Sequence, residues 1–258
     1  MSKKHAEENR ILLAMIALNT PSMPPTVALV DSLKAIPGIG INLASFKAKE
    51  GTISFDLGED HAAVALMPAP IPWSNLEGPC ATAWWWPEAT EKMKNHTSHI
   101  LVALVADGKD NLIDLNIKLT HLTAAVVAHT EAVGIYWGNG TLVHDPHVFI
   151  EQTQNMSPEN LPLPIWIDFR VERNDDGSYR LFTTGMKAFN KMEIEIPHSQ
   201  NEPAEVFDFA CCIADYILTK NSRIEDGHTI GRSETEKVRV THAPSMWNSK
   251  ITVLRLDF

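Results

Sequence analysis

Two histidines and a carboxylate fall within four consecutive residues of this chain, at His144, Asp145 and His147. Imidazole and carboxylate groups are ordinary ligands of zinc and of non-haem iron. A metal centre needs a third or fourth protein ligand, and the chain has neither an HExxH sequence nor paired CxxC motifs to supply it. We therefore interpret these residues as surface or capping groups. We keep them as the candidate metal site of an alternative hypothesis, a hydrolase with a His-based or metal-assisted site.

Cysteine offers a second route to catalysis. A helix that starts at Gly78-Pro79 would lower the pKa of the Cys80 thiol, and one of the 11 histidines would then serve as its base. A small buried cysteine beside tryptophans is the commoner arrangement, so we assign no catalytic residue. The remaining cysteines, Cys211 and Cys212, are adjacent in a predicted helix, where neighbouring side chains diverge. An odd number of cysteines without metal-ligand spacing favours reduced thiols in the cytoplasm.

The most distinctive stretch runs from Leu66 to Glu88 and combines three prolines in five residues with four tryptophans. Rigid backbone and large aromatic side chains are costly to leave exposed, so the segment is either packed into a core or held as a contact surface. If residues 84–86 form a strand, Trp85 points to the opposite face from its two neighbours. We predict eight partner-binding residues, the last two from a polar turn near the C-terminus: Trp73, Trp84, Trp85, Trp86, Tyr136, Trp137, Asp226 and His228.

Composition narrows the class of partner. The 258 residues are 44% hydrophobic and 21% charged, which is typical of a folded globular protein. A net charge of −10 disfavours nucleic acid and anionic membranes as partners. It favours either a basic partner or simply solubility, which is the commoner reason for an acidic surface. No apolar run reaches the roughly 18 residues of a spanning helix, and Gly38-Ile39-Gly40 and Gly138-Asn139-Gly140 lack the rest of a phosphate loop. We therefore expect no cofactor and no membrane segment.

Hydrophobic periodicity predicts an α+β fold. Buried strands are expected at 11–18, 62–67 and 99–105, and a long helix that Asp110 caps is expected to run to about His129. Asn174-Asp175-Asp176-Gly177 is the clearest hairpin signal. The order of elements predicts two ferredoxin-like halves, with helices on one face of mainly antiparallel sheets, at 1–97 and 98–258. We expect the two halves to form one compact unit.

Four segments resemble a bacterial family known as DUF4261, a domain of unknown function. They are MPAPIPWSNLEGPCATAWWWPEA at 67–89, AVGIYWGNGTLV at 132–143, TTGMKAFNKMEIEI at 183–196 and EDGHTIGRSETEKVRVTHAPS at 225–245. The resemblance extends from about Ile11 to Leu256 and implies a single compact bacterial cytoplasmic unit. It supplies no catalytic residues. Similar small α+β proteins occur among immunity proteins that neutralise toxins, which is an analogy of build.

The leading hypothesis is thus a non-enzymatic protein-binding module, in its narrower form an immunity protein that occludes a basic toxin domain. Trp84–Trp86 and Trp137 would be its anchors, with Glu77 and Glu88 among its charge partners. The hydrolase is one alternative. The other is an adaptor of a bacterial secretion system. The oligomeric state stays open.

Overall fold

Two sheets, each in its own structural unit, position the residues considered above. The structure is a computed structural model that describes residues 10–106 and 111–258. One compact unit ends at Pro158 and the other begins at Glu159. The predicted α+β class with mainly antiparallel sheets is confirmed, although both sheets are larger than the four strands of a ferredoxin-like unit. None of the helices in the described part of the chain is long and apolar enough to cross a membrane.

The first unit contains seven strands and five helices among its described residues. In chain order they are β1 Arg10–Leu18, α1 Thr26–Lys34, β2 Ile41–Lys49, β3 Thr52–Leu57, β4 Asp60–Met67, α2 Trp73–Ala81, α3 Ala89–Lys94, β5 Ser98–Ala106, α4 Leu112–Val127, β6 Ala132–Trp137, β7 Leu142–His144 and α5 Pro146–Thr153.

All strand pairs of the first sheet are antiparallel, in the order β2-β3-β4-β5-β1-β6-β7. β5 lies in the middle, where Ile100 pairs with Ile16 of β1 and with Leu66 of β4. A domain boundary after residue 97 would remove this central strand from its sheet. The division of the chain after Pro158 therefore replaces the predicted boundary.

β2 is the first strand in the order of the sheet and contains a large bulge. Asn42 pairs with Asp56 and Lys47 pairs with Ser54, so four residues of β2 face a single residue of β3. Inside the bulge the Ser45 hydroxyl accepts the Asp56 N–H at 2.8 Å, in place of a ladder carbonyl.

One hydrophobic cluster of the first unit joins α2 and α3 to the sheet. Its members are Ala17, Ile71, Leu76, Cys80, Trp86, Ala89, Met93, Tyr136 and Val143. Gly134 on β6 makes this packing possible, since a β-carbon there would lie within 2.8 Å of Cη2 of Trp86. α4 packs against β1 and β5. Its predicted cap Asp110 lies outside the described residues, and Asn111 caps the helix by accepting the Ile113 N–H at 3.1 Å.

The second unit places α7 against a six-stranded sheet with the order β11-β12-β13-β10-β9-β8. β10 and β13 are parallel, and the other pairs are antiparallel. Its elements are α6 Leu163–Trp166, β8 Asp168–Arg173, β9 Tyr179–Thr184, a 3₁₀ turn Met186–Phe189, β10 Ile194–Ser199, α7 Pro203–Thr219, β11 Thr229–Ile230, β12 Val238–Pro244 and β13 Thr252–Leu256.

The hairpin predicted at Asn174–Gly177 is confirmed, with Gly177 at a φ of 89° between β8 and β9. The first strand of this hairpin starts only at Asp168, because the prolines at 162 and 164 begin a short helix before it. β10 was not predicted. Its Pro197 lies at an irregularity between Ile196 and Ser199, and a proline is tolerated inside a sheet at such a bulge.

Candidate functional site

Two buried histidines hold the proline-framed segment that precedes the tryptophans. The Ile71 N–H donates to Nε2 of His96 at 2.7 Å, and Nδ1 of His96 lies within hydrogen-bond distance of the Met93 carbonyl. Nδ1 of His99 lies 2.7 Å from the Ala69 carbonyl. Both imidazole rings are hydrogen-bonded to backbone groups. His96 and His99 therefore hold residues 69–71 beside the start of β5.

The tryptophan run is not a strand. α2 begins at Trp73 after Pro72 and ends at Ala81, and the following residues form turns up to α3. Within these turns the Trp86 N–H donates to the Ala83 carbonyl at 2.9 Å. The strand-based alternation that would separate Trp85 from its two neighbours therefore does not apply.

The four tryptophans of this segment have different environments. Trp86 is 7% exposed and belongs to the cluster over Gly134, and Trp73 is half-buried against the same cluster. Trp84 and Trp85 are 47% and 61% exposed. Their ring centroids are 3.8 Å apart with the planes tilted by 31°. We call Trp84 and Trp85 the tryptophan pair.

Acidic side chains surround the pair in sequence. Glu77, Glu88 and Glu91 are exposed, and residues 73–91 contain no lysine or arginine, although Lys92 and Lys94 follow in α3. Exposed aromatic rings beside carboxylates suit a cationic partner group, which gains from both the ring faces and the negative charge.

The predicted contact residues on β6 are buried. Tyr136 is 9% exposed and Trp137 is fully buried, 6.2 Å from the Phe149 ring. Four successive residues of β6, 134–137, are buried, so both faces of its C-terminal half are covered. Nε1 of Trp137 has no hydrogen-bond partner in the described part of the chain. These two residues are therefore core residues, which corrects their assignment as partner anchors.

The histidine turn caps a helix. Asp145 is the N-cap of α5, and its Oδ1 accepts the N–H groups of His147 at 2.9 Å and Val148 at 3.2 Å. The His144 ring lies 5.8 Å from the Phe149 ring, and His147 is exposed. Among the described residues no group of three or more His, Cys, Asp or Glu side chains could hold a metal ion. The predicted capping role thus belongs to Asp145.

Cys80 lies near the end of α2, not at a helix start. Burial raises the pKa of its thiol to about 11, so the thiolate that nucleophilic catalysis needs is disfavoured. The favoured interpretation of Cys80, a packing residue beside tryptophan, agrees with its membership of the Trp86 cluster.

Asp226 and His228 belong to the second unit, whereas the predicted tryptophans belong to the first. Oδ1 of Asp226 accepts the His242 N–H at 2.7 Å and so closes the turn before β11. His228 is exposed and lines a cleft of about 640 Å³ together with Tyr216 and Arg232. The Asp226 carboxylate is therefore occupied by a hydrogen bond within the turn. Of Asp226 and His228, only His228 remains a candidate contact residue.

A cleft of about 1010 Å³ in the first unit lies between α1, α4 and the residues after α5. Lys118 lines it and forms an ion pair with Asp60, which is 1% exposed. Burial lowers the pKa of His121, which favours a neutral ring inside the cleft. Its lining contains no cysteine, but it includes Ser32, whose hydroxyl lies 2.8 Å from Nε2 of His129. Among the described residues at this cleft, a serine paired with a histidine is the one arrangement that could serve the hydrolase alternative.

A third exposed tryptophan of the described residues lies where no prediction placed one. Trp247 is 45% exposed, between Met246 at 44% and Ile251 at 41%, in the loop from β12 to β13. The signal was available in the sequence, because Pro244-Ser245 and Asn248-Ser249 mark a loop tip, where a Met-Trp dipeptide is unusual. We call Met246, Trp247 and Ile251 the apolar loop.

Comparison with known proteins gives one match. Residues 182–257 match the family described as Domain of unknown function (DUF4261). This segment holds most of the second unit, including the apolar loop and the motif at 225–245, so the resemblance seen in the sequence is confirmed there. The motifs at 67–89 and 132–143 lie outside it. No curated protein and no solved structure matches the chain.

Proposed function

We propose that this protein is a non-enzymatic protein-binding module whose contact surface is centred on the tryptophan pair, Trp84 and Trp85. The observation that carries the proposal is the exposure of these two adjacent indoles, at 47% and 61%. Tryptophan is the residue type most enriched among the anchors of protein interfaces. Leaving two neighbouring indole rings more than 40% exposed to water is unfavourable in free energy, and such apolar patches commonly mark interaction sites.

The pair is also held in place before any partner arrives. Trp86 is fixed in the cluster over Gly134, and the Trp84 N–H donates to the Thr82 carbonyl at 2.9 Å. The close approach of the two rings, 3.8 Å between centroids, further limits their rotamers. A preorganised aromatic surface loses less side-chain entropy on binding than a mobile one.

The partner that suits this surface is a basic protein. Glu77, Glu88 and Glu91 give the region around the pair a negative charge, in agreement with the net charge of −10. An arginine or lysine of the partner would stack on an indole face while its neighbours pair with these carboxylates. Occlusion of a basic toxin domain, the role of an immunity protein, is the narrower form of the proposal. Three free cysteines are compatible with a reducing cytoplasm, where we place this function.

The test uses the purified protein as bait in lysate of its own organism, with three variants beside the wild type. Trp84→Ala/Trp85→Ala removes the pair, and Glu77→Lys/Glu88→Lys reverses the charge. Tyr216→Ala is the matched control, because Tyr216 is an exposed aromatic (48%) in the other unit. We expect a basic partner that the wild type and the control bind equally and that both double variants bind at least tenfold more weakly.

A partner that binds the Trp84→Ala/Trp85→Ala variant as tightly as the wild type contradicts the proposal, provided the variant unfolds at the wild-type temperature. The immunity form has its own readout. The captured partner must be a toxic enzyme whose activity is lost in a one-to-one complex. Capture of a basic partner without such activity would support the proposal of a binding module and contradict the immunity role.

A further inference from the structure

One face of the second sheet carries a row of charged and aromatic side chains in register. Phe169 packs on Phe207 of α7 at 5.6 Å between ring centroids, so the next residue of β8, Arg170, points to the opposite face. Arg170 pairs with Phe182, and Phe182 pairs with Glu195 of β10. The parallel partner of Glu195 is Arg255. The row therefore runs across four strands on the face away from α7.

The apolar loop is fastened to this row. Glu195 is 3% exposed, and its carboxylate accepts the Met246 N–H at 3.2–3.3 Å. Arg255 donates to the Pro244 carbonyl at 2.7 Å. At the tip, the Ser245 hydroxyl accepts the Trp247 N–H at 3.1 Å. A buried carboxylate and an arginine thus hold in place a loop that exposes three large apolar side chains.

The rings form a rigid notch at the edge of the row. Trp247 and Phe182 have centroids 4.5 Å apart, with their planes tilted by 42°. The Arg180 guanidinium lies 5.1 Å from the Trp247 ring, and the Arg170 guanidinium lies 5.4 Å from the Phe182 ring. Each ring is therefore supported by a second ring and by a cation, which restricts both indole and phenyl rotamers.

The charges on this face are layered. In two of the three ion pairs that the described residues form on this face, the carboxylate side chain is more buried than its arginine, 11% against 26% exposed for Asp168 and Arg170, and 3% against 29% for Glu195 and Arg255. In the third pair Glu172 and Arg180 are nearly equally exposed, at 35% and 38%. Each pair is neutral as a whole, and Lys250, in the same loop as Trp247, adds an exposed positive charge. We call the outward guanidinium groups and Lys250 the cationic layer.

We propose that this face is a second interaction surface, which binds an acidic segment of a protein partner that carries an apolar anchor residue. The anchor packs against Trp247 and Met246, beside the notch. Carboxylates of the segment pair with the outer guanidinium groups of Arg180 and Arg170 and with Lys250. Trp, Met and Arg are the types enriched at interface cores, and the cationic layer selects the sign of the partner's charge.

This inference is independent of the proposed function, because it uses other residues, another unit and the opposite charge. A protein with both surfaces would take one basic and one acidic partner. That property fits the adaptor hypothesis better than simple occlusion does.

The test uses two arrays of fluorescent 12-residue peptides. In one, a central Phe, Leu or Trp is flanked by Glu and Asp, and in the other the same positions carry Lys. Saturable binding to the wild-type protein is measured by fluorescence anisotropy at low and physiological salt. We expect the acidic peptides alone to bind, with affinity that falls as salt rises. Trp247→Ala and Arg180→Gln should each weaken the best peptide at least tenfold.

Matched controls separate this surface from general charge effects. Tyr216→Ala replaces an equally exposed aromatic of the same unit, and Arg223→Gln replaces an arginine that is 79% exposed and paired with Glu225. Both should bind the best acidic peptide as the wild type does. The proposal is overturned if no acidic peptide binds, if the basic array binds as well, or if Trp247→Ala binds like Tyr216→Ala.

Discussion

The indole of Trp86 rests on Gly134, so closely that a β-carbon on Gly134 would come within 2.8 Å of Cη2. Gly134→Ala should therefore push Trp86 and Met93 out of their cluster. We expect the free energy of unfolding to fall by about 1–3 kcal/mol, the usual cost of overpacking. Urea denaturation followed by tryptophan fluorescence measures it.

Gly78→Ala is the control for this substitution. Gly78 lies in α2, and apart from its chain neighbours and the backbone of the helix itself no atom of the described residues lies within 4 Å of its β-carbon position. Because the following Pro79 offsets the gain in helix propensity, alanine should change stability by less than about 1 kcal/mol. Equal effects of the two substitutions would show that the contact between Trp86 and Gly134 does not limit packing.

Acid should weaken the segment that His99 holds. Burial, with a smaller contribution from His96, places the pKa of His99 below its usual 6.5. Between that lowered value and 6.5 the unfolded chain binds more protons than the folded one, so stability is lost as the pH falls below 6.5. His99→Gln, which keeps a donor for the Ala69 carbonyl, should flatten the dependence of the unfolding free energy on pH between 6.5 and 5. His147→Gln, at an exposed ring, should leave the slope as it is in the wild type.

The three thiols should differ in reactivity. Burial raises the pKa of Cys80 to about 11 and contributes most to raising that of Cys211 to about 12, whereas Cys212 is exposed. At pH 8 a disulfide reagent such as DTNB should modify one thiol quickly and the other two only after denaturation. Cys212→Ser should abolish the fast phase. Rapid modification of Cys80 in the folded Cys212→Ser variant would revive the thiol-enzyme hypothesis.

Substitutions at Asp145 and His147 should distinguish a helix cap from a metal site. Asp145→Ala removes the acceptor of two N–H groups at the start of α5 and should cost about 0.5–2 kcal/mol of stability. His147→Ala should change stability by less than about 0.5 kcal/mol. Metal analysis of the wild type decides the alternative: stoichiometric zinc that both variants lose would make this turn a metal centre.

Local sequence rules predicted the elements whose signals are local. The Asn174–Gly177 turn, the strands at 11–18, 62–67 and 99–105 and the long helix that ends near His129 all follow from turn chemistry or hydrophobic periodicity. β10 was missed because Pro197 argues against a strand, and only its neighbours in the sheet supply the bulge that accommodates it.

Burial of individual tryptophans was beyond such rules. Trp84, Trp85 and Trp86 are chemically identical neighbours, and what selects Trp86 for the core is a glycine on β6 that is distant in sequence. Trp137 is buried where Phe149 of α5 packs against it, a contact between elements that the local sequence does not specify. Trp247 was overlooked because it stands alone in sequence, although Phe182 and Arg180 assemble around it in space.

The bulge of β2 affects how the chain behaves at high concentration. A straight, nine-residue edge with free backbone groups would be a template for other copies to add strands in series. The four residues opposite Phe55 break that template in the middle, and Lys47 and Lys49 bring like charges against any approaching copy. Shortening the bulge to match β3 should leave the core of the first unit untouched and raise the tendency of the chain to add strands from other copies.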